Sequence, residues 1–346
     1  MKLFLLLLVL FSLARVTTSQ AQFLPNIKKP SDMKRYQLEI DELKNRTTIF
    51  VLPSIYDEHH YYHILKEVWT FNEFKVIPAS SYDPIKYGTP EYLVYHLVRE
   101  SLKVKYDNSA VHEWFYTYFA LHTFDEKFAE KYIRIHQKYA RKDSYSTKIN
   151  VLYDTNSKMW LKIFVGLENP SRLANKNILN TLYTQKCMVN FSLGHFKNQA
   201  QQLNLALENY NLYRRSLKDL SIVNKDIVNL KNTVLYVDEF VGVNNEKMYK
   251  TKKIGQLLKN YPYEYKIVKK KDIEALILEG KDIYYMTYIK QYTPEKMFCV
   301  TSAKTGKVVY QDVIVPKMYT RTHLKEKHLK KFINSLAKMN KKSLVK

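Results

Sequence analysis

The chain has 346 residues and a formal charge of +23, and it is 46 % hydrophobic and 26 % charged; these are globular proportions, which exclude a disordered tail protein and a polytopic membrane protein. Only 7 residues are Gly against 29 Tyr, which argues against Gly-rich propellers, β-helices and collagen-like arrays. At about 100–200 residues per domain, the length favours two domains.

Residues 1–21 read as a secretory signal peptide. Lys2 is the positive n-region, Leu3 to Ala14 form an apolar run, and Ser19-Gln20-Ala21 is a small-x-small cleavage site before Gln22. The run is shorter than the roughly 20 residues that a bilayer span needs, and no later segment is long and apolar enough. The mature chain is therefore expected to lack a transmembrane segment and to be secreted or periplasmic. The leader and the Lys/Tyr/Asn-rich mature chain resemble exported proteins of Gram-negative Bacteroidota, a likeness that names no family. Residues 22–40 form an N-terminal extension.

A first α/β domain is expected over residues 41–190. Thr48-Ile49-Phe50-Val51-Leu52 reads as a buried strand. The segment 58–70 follows as a helix with Tyr61, Ile64, Leu65 and Val68 on one stripe, the spacing of a core-facing helix. Opposite that stripe, His59, His63 and Glu67 lie one turn apart. Two imidazoles and a carboxylate so placed can hold Zn²⁺, Cu²⁺ or Ni²⁺; the same spacing equally describes a plain hydrated surface. Strands are expected at Phe74–Ile77, Tyr116–Phe119 and Lys158–Leu161, a helix at Leu173–Tyr183, and insertions around 84–112 and 123–150.

Residues 191–227 are expected to form a connecting amphipathic helix, with Phe196, Ala200, Leu203, Leu207, Tyr210 and Leu217 on a heptad-like seam. The second, basic domain then spans 228–340, with a basic tail at 341–346. Strands at Thr233–Val237, Tyr265–Val268, Met286–Ile289 and Lys296–Cys299 repeat the order of the first domain. A helix over 246–260 (Met248, Ile254, Leu257, Leu258), a hairpin at Ala303–Gly306 and a closing helix over Leu324–Met339 complete it. The fold class expected is thus α/β: two tandem, duplicated β-α-β-α-β-β-α domains with mixed sheets, joined by a long amphipathic helix. This order resembles small α/β domains of envelope accessory proteins and the thioredoxin-like fold, but no Cys-x-x-Cys is present, which excludes thioredoxin-type redox chemistry. Cys187 and Cys299 both sit in apolar contexts and read as two separate buried thiols, with a disulfide between them as the alternative in an exported chain.

From Lys247 to Lys346, 24 Lys and Arg stand against 8 Asp and Glu, a net +16. Lys269, Lys270 and Lys271, and Lys325, Lys327, Lys330 and Lys331 on a helix, are the candidate anion-binding residues. Arg is nearly absent from this segment. Base reading and bidentate phosphate clamps prefer Arg, so a sequence-specific nucleic-acid partner is disfavoured. There is no Gly-x-Gly or Gly-x-Ser-x-Gly motif. His112-Glu113 begins a zincin pattern that fails at Tyr116. Asp57, Asp83, Asp238 and Asp272 fall where helix caps are expected. No catalytic residue is assigned and no cofactor is expected. The reading is a non-enzymatic binding or accessory protein of the bacterial cell envelope, its partner an anionic envelope surface or another envelope protein. The alternative is an exported hydrolase whose residues converge only in the fold.

Overall fold

A computed structural model describes residues 24–25, 27–105, 111–142, 144–167, 169–175, 177–214, 221–239, 241, 254–293, 295–314 and 324–344. The expected signal peptide, Leu217 and Met248 lie outside the described residues. The first half of the chain runs β1 (Leu24–Pro25), β2 (Ile27–Lys28), α1 (Met33–Leu43), β3 (Thr47–Leu52), α2 (Glu58–Val68), β4 (Phe74–Pro78), α3 (Pro84–Tyr87), β5 (Tyr92–Lys105), β6 (Val111–Phe124), α4 (Phe128–Tyr139), α5 (Tyr145–Asn156), β7 (Ser157–Phe164), α6 (Ile178–Thr184) and α7 (Leu193–Glu208). The second half runs β8 (Tyr213–Arg214), β9 (Ile222–Val223), β10 (Leu235–Asp238), α8 (Ile254–Leu258), β11 (Tyr265–Val268), α9 (Lys270–Leu278), β12 (Tyr284–Lys290), β13 (Lys296–Ser302), β14 (Val308–Ile314) and α10 (Glu326–Leu344).

The protein is mixed α/β, with two six-stranded mixed sheets. The first has the order β4-β3-β5-β6-β7-β1 and the second β11-β10-β12-β13-β14-β9. In each, the second strand from the left is parallel to both its neighbours, and all other pairs are antiparallel. The parallel strand β3 explains its own sequence. It is covered on both faces, so Ile49 to Leu52 form an unbroken apolar run instead of an alternation. One face packs Phe50 and Leu52 against α1, α2 and α7; the other packs Ile49 and Val51 against Phe128 of α4 and Leu152 of α5. In the second sheet, Leu235 and Val237 face Leu257 of α8 and Phe332 of α10, while Tyr236 and Tyr285 lie on the side of α9.

Two expectations need correction. The strands β3 to β7 of the first half and β10 to β14 of the second make five in each, not four, so the second half reads β-α-β-α-β-β-β-α. The third and fourth strand correspondences are displaced by one strand. Met286–Ile289 lies in β12, whose place in the first sheet is taken by β5; Tyr116–Phe119 lies in β6, which corresponds to β13. The cause is that β5 falls inside the segment read as an insertion. Its second half carries Arg99, Glu100 and Ser101, which break the apolar pattern of a strand.

Helix α7 ends at Glu208, and its apolar residues Phe196, Ala200, Leu203 and Leu207 belong to the first core. It covers the same face of the first sheet that α10 covers in the second. Its polar side bonds to the second half: Asn198 Nδ2 donates to the Ala303 carbonyl (2.9 Å), and Tyr285 Oη donates to Asn198 Oδ1 (2.9 Å). Elsewhere the halves meet through Tyr116, Tyr118 and Phe164 against Ile289, Met297 and Cys299. Buried there, Gln291 accepts from the Thr117 N–H (2.8 Å) and donates to its carbonyl (3.0 Å), so a side-chain amide extends the ladder of β6. Cys187 and Cys299 are free thiols, Cys299 buried and Cys187 half-buried. No helix among the described residues is long and apolar enough to cross a membrane.

Candidate functional site

Period-2 alternation places His96, Val98 and Glu100 of β5 on one face, and Tyr118, Ala120 and His122 of β6 beside them; the pairing registers His96 with Ala120 and Val98 with Tyr118. On the next strand, β7, Lys162 stands opposite Ala120. A sheet this polar needs a cover that does not seal it. The α4–α5 hairpin supplies one. It is anchored at its base by Phe124, Phe128 and Leu152, and by Asn156, whose Nδ2 donates to Asp125 Oδ2 (2.8 Å). Beyond that anchor α5 leaves a cavity of about 520 Å³, lined on the helix side by Ile149, Tyr153 and Asp154 and on the sheet side by His96, Val98, Glu100, Tyr118, His122 and Lys162.

At the mouth, Glu100 Oε2 accepts from Lys162 Nζ (2.7 Å) and from Tyr118 Oη (2.8 Å). Lys162 also lies over the Tyr118 ring, 4.4 Å from its centroid. Burial works against the Glu100 charge, but the Lys162 ammonium and the two hydrogen bonds outweigh it and hold the carboxyl below its ordinary value. Asp154 moves the other way: burial raises it, and so does the neighbouring Glu100 charge. Arg99 is committed elsewhere, its Nε donating to the Leu173 carbonyl (2.8 Å) and its guanidinium stacked on Phe115.

The deep end holds two imidazoles, His96 and His122, 8 % and 1 % exposed, with ring centroids 5.1 Å apart. Burial pushes His96 down to about 4 and His122 well below its ordinary value, so both rings are neutral near pH 7. The hydrogen-bond network assigns the His122 tautomer. Ser157 has one hydroxyl proton and donates it to the Tyr153 carbonyl (2.6 Å). The contact between Ser157 Oγ and His122 Nδ1 (3.2 Å) therefore has the imidazole N–H donating. That leaves His122 Nε2 with its lone pair, buried, with no protein donor in reach.

The residues singled out in the sequence land elsewhere. His59 and His63 do meet on α2, their Nε2 atoms 2.8 Å apart. Glu67 does not join them; its Oε1 pairs with Lys197 Nζ (2.6 Å), which also donates to the Leu278 carbonyl. Among the described residues, no group of three or more His, Cys, Asp or Glu side chains is arranged to hold a metal ion. The two lysine clusters are separated, because α9 and α10 cover opposite faces of the second sheet. Lys269 precedes α9, Lys270 donates to the Met188 carbonyl (3.1 Å), and Lys271 is exposed. Lys325 precedes α10, its N–H bonded to His328 Nδ1. Lys327, Lys330, Lys331 and Lys338 edge a shallow depression on α10 around Asn334 and Ser335; Lys331 is paired with Asp312. The cleft itself escaped the sequence reading. The available signal was the i, i+2, i+4 set His96, Val98 and Glu100, legible only once β5 is recognised as a strand.

The chain matches no protein-family model, no curated protein and no solved structure.

Proposed function

We propose that the protein is an exported, non-enzymatic binding protein of the bacterial cell envelope whose basic second half rests on an anionic surface through α10. The observation that carries this is the lysine face: Lys327, Lys330 and Lys338 are exposed along one helix with Asn334 between them. Lysines act as point charges, so the attraction is diffuse and tolerant of partner detail. The leader at residues 1–21 supports export. The common strand order of the two sheets supports one duplicated unit, and the contacts of α7 with both halves support its part in joining them.

The test is vesicle co-sedimentation of the chain from Gln22. Anionic vesicles should bind at low salt and release as salt rises, because the Debye length shrinks from about 30 Å at 0.01 M to about 8 Å at 0.15 M. The triple variant Lys327→Glu, Lys330→Glu, Lys338→Glu should abolish binding. Indifference of the wild-type chain to anionic vesicles at low salt would remove the reading.

A second reading, an exported hydrolase, is favoured by one observation. Glu100 and Asp154 share a cleft in which one carboxyl is held below and the other above its ordinary value, the separation that acid–base pairs require. It predicts slow hydrolysis of activated glycosides or esters that Glu100→Gln abolishes.

A further inference from the structure

We infer that the cleft between β5, β6, β7 and α5 binds a neutral hydroxyl-bearing ligand, a sugar or comparable polyol, with His122 Nε2 accepting a hydrogen bond from one ligand hydroxyl. The inference rests on the binding reading of the protein, but not on its lysine face.

Three features select the ligand. The first is the deep end. His122 Nδ1–H is held by Ser157, so Nε2 can only accept. His96 Nε2 is likewise buried with no protein partner. A buried acceptor left unmatched costs about 1–3 kcal/mol, so the site favours a ligand that brings donors. Burial holds the His122 ring below its ordinary value, so near pH 7 it serves as a fixed acceptor and not as a proton carrier.

The second is charge. Glu100 is matched by Lys162, and Arg99 is bound to backbone carbonyls. Among the described residues lining the cavity, no cation is left without a partner to take a phosphate. The buried Lys162 ammonium, 8 % exposed, opposes a ligand ammonium. A hydroxyl group suits both ends, because it donates to His122 or a carboxylate and accepts from Lys162.

The third is shape. Tyr118, Tyr153, Ile149 and Met159 offer apolar walls for the C–H faces of a sugar ring, and about 520 Å³ is within the range of small-molecule pockets, about 300–1,000 Å³.

The test uses the chain from Gln22 with glucose, galactose, N-acetylglucosamine and myo-inositol, against sodium phosphate and glycine betaine, by saturation-transfer NMR and calorimetry. At least one of the four neutral probes should bind, and the two charged ones should not. His122→Leu should weaken binding about tenfold, the loss of one buried hydrogen bond. Should that variant unfold, Glu100→Gln serves instead, and ¹⁵N NMR of the wild type at pH 7 should show His122 protonated at Nδ1 and bare at Nε2. The inference is overturned if none of the neutral probes binds, if phosphate or betaine binds best, if His122→Leu folds and keeps full affinity, or if the tautomer is reversed. The vesicle result is independent. The α10 triple variant should bind the sugar normally, and loss of sugar binding alone leaves the lysine face standing.

Discussion

Between β6 and β7 the first half inserts two helices over residues 125–156, whereas between β13 and β14 the second half turns back within a few residues through Ala303 and Gly306. The sheets share their strand order, so the difference lies in what covers an equivalent face. In the first sheet, the α4–α5 hairpin stands over β5–β7 and leaves a polar cleft. In the second, the matching side of β12 and β13 is closed: Tyr285 lies under α9 and α7, and Ile289, Met297 and Cys299 press on the first half. The same strand framework thus holds a cleft where a long connection covers it loosely, and an interface where a short one lets another unit pack directly.

That comparison makes α7 and α10 equivalent core helices, and this is the claim with the largest expected effect. Phe196 packs 5.2 Å from Tyr61, and Phe332 packs 4.9 Å from Tyr310, centroid to centroid. Both are fully buried. Phe196→Ala and Phe332→Ala should each destabilise by about 3–5 kcal/mol in denaturant unfolding. A Phe196→Ala cost near zero would make α7 a linker and break the equivalence.

Acid should separate the halves next. Of the four buried histidines among the described residues, His96, His122, His195 and His328, three belong to the first half. His96 is held at about 4 against an unfolded value of 6.5, and burial is the cause. Between those values the unfolded chain binds more protons than the folded one. Stability is therefore complete above pH 6.5 and falls as the pH drops towards 4, by about 3 kcal/mol for this group. Hydrogen exchange at pH 4.5 should show β5 and β6 losing protection before β12 and β13, and His96→Gln should flatten the acid slope.

A smaller contrast sharpens the contact between the halves. Gly280 and Gly306 both have positive φ, +66° and +69°. A Cβ on Gly280 meets nothing within 4 Å, whereas one on Gly306 would stand 2.6 Å from the Asn198 carbonyl of α7. Gly280→Ala should cost about 1 kcal/mol from backbone strain alone, and Gly306→Ala at least twice as much. Equal costs in thermal melts would mean that the β13–β14 turn does not seat on α7. The smallest effect belongs to the surface: Lys327→Glu and Lys338→Glu should change stability by less than about 0.5 kcal/mol.

Much of the framework was legible locally. β3, β4, β10 and β11 are legible as short apolar runs, unbroken in β3, which is covered on both faces, and interrupted by Lys75 and Lys266 in the edge strands β4 and β11. The α2 stripe was read correctly because Tyr61, Ile64 and Leu65 are buried as their spacing requires. β5 is hidden because its outer half carries charged residues with tertiary partners, Glu100 bonded to Lys162 of β7 and Arg99 to the Leu173 carbonyl. Of the heptad-like seam, Phe196, Ala200, Leu203 and Leu207 lie on α7 and pack on the first sheet, Tyr210 lies beyond the end of the helix, and the polar back of α7 bonds to the second half.

From the sequence alone came the expectation of an export leader, the mixed α/β class, the concentration of charge in the last hundred residues and the absence of familiar catalytic motifs. These are properties of composition or of one element at a time, and periodicity reports how a residue stands relative to its own helix or strand. The cleft is a different kind of fact. His96 and Glu100 come from β5, His122 from β6, Asp154 from α5 and Lys162 from β7. Their meeting depends on two antiparallel registers and on the seat of a helical hairpin, and the His122 tautomer depends on a proton that Ser157 gives to a backbone carbonyl. Only the tertiary structure could decide these, because pairing between distant strands is set by the burial of the whole sheet and not by any residue's near neighbours.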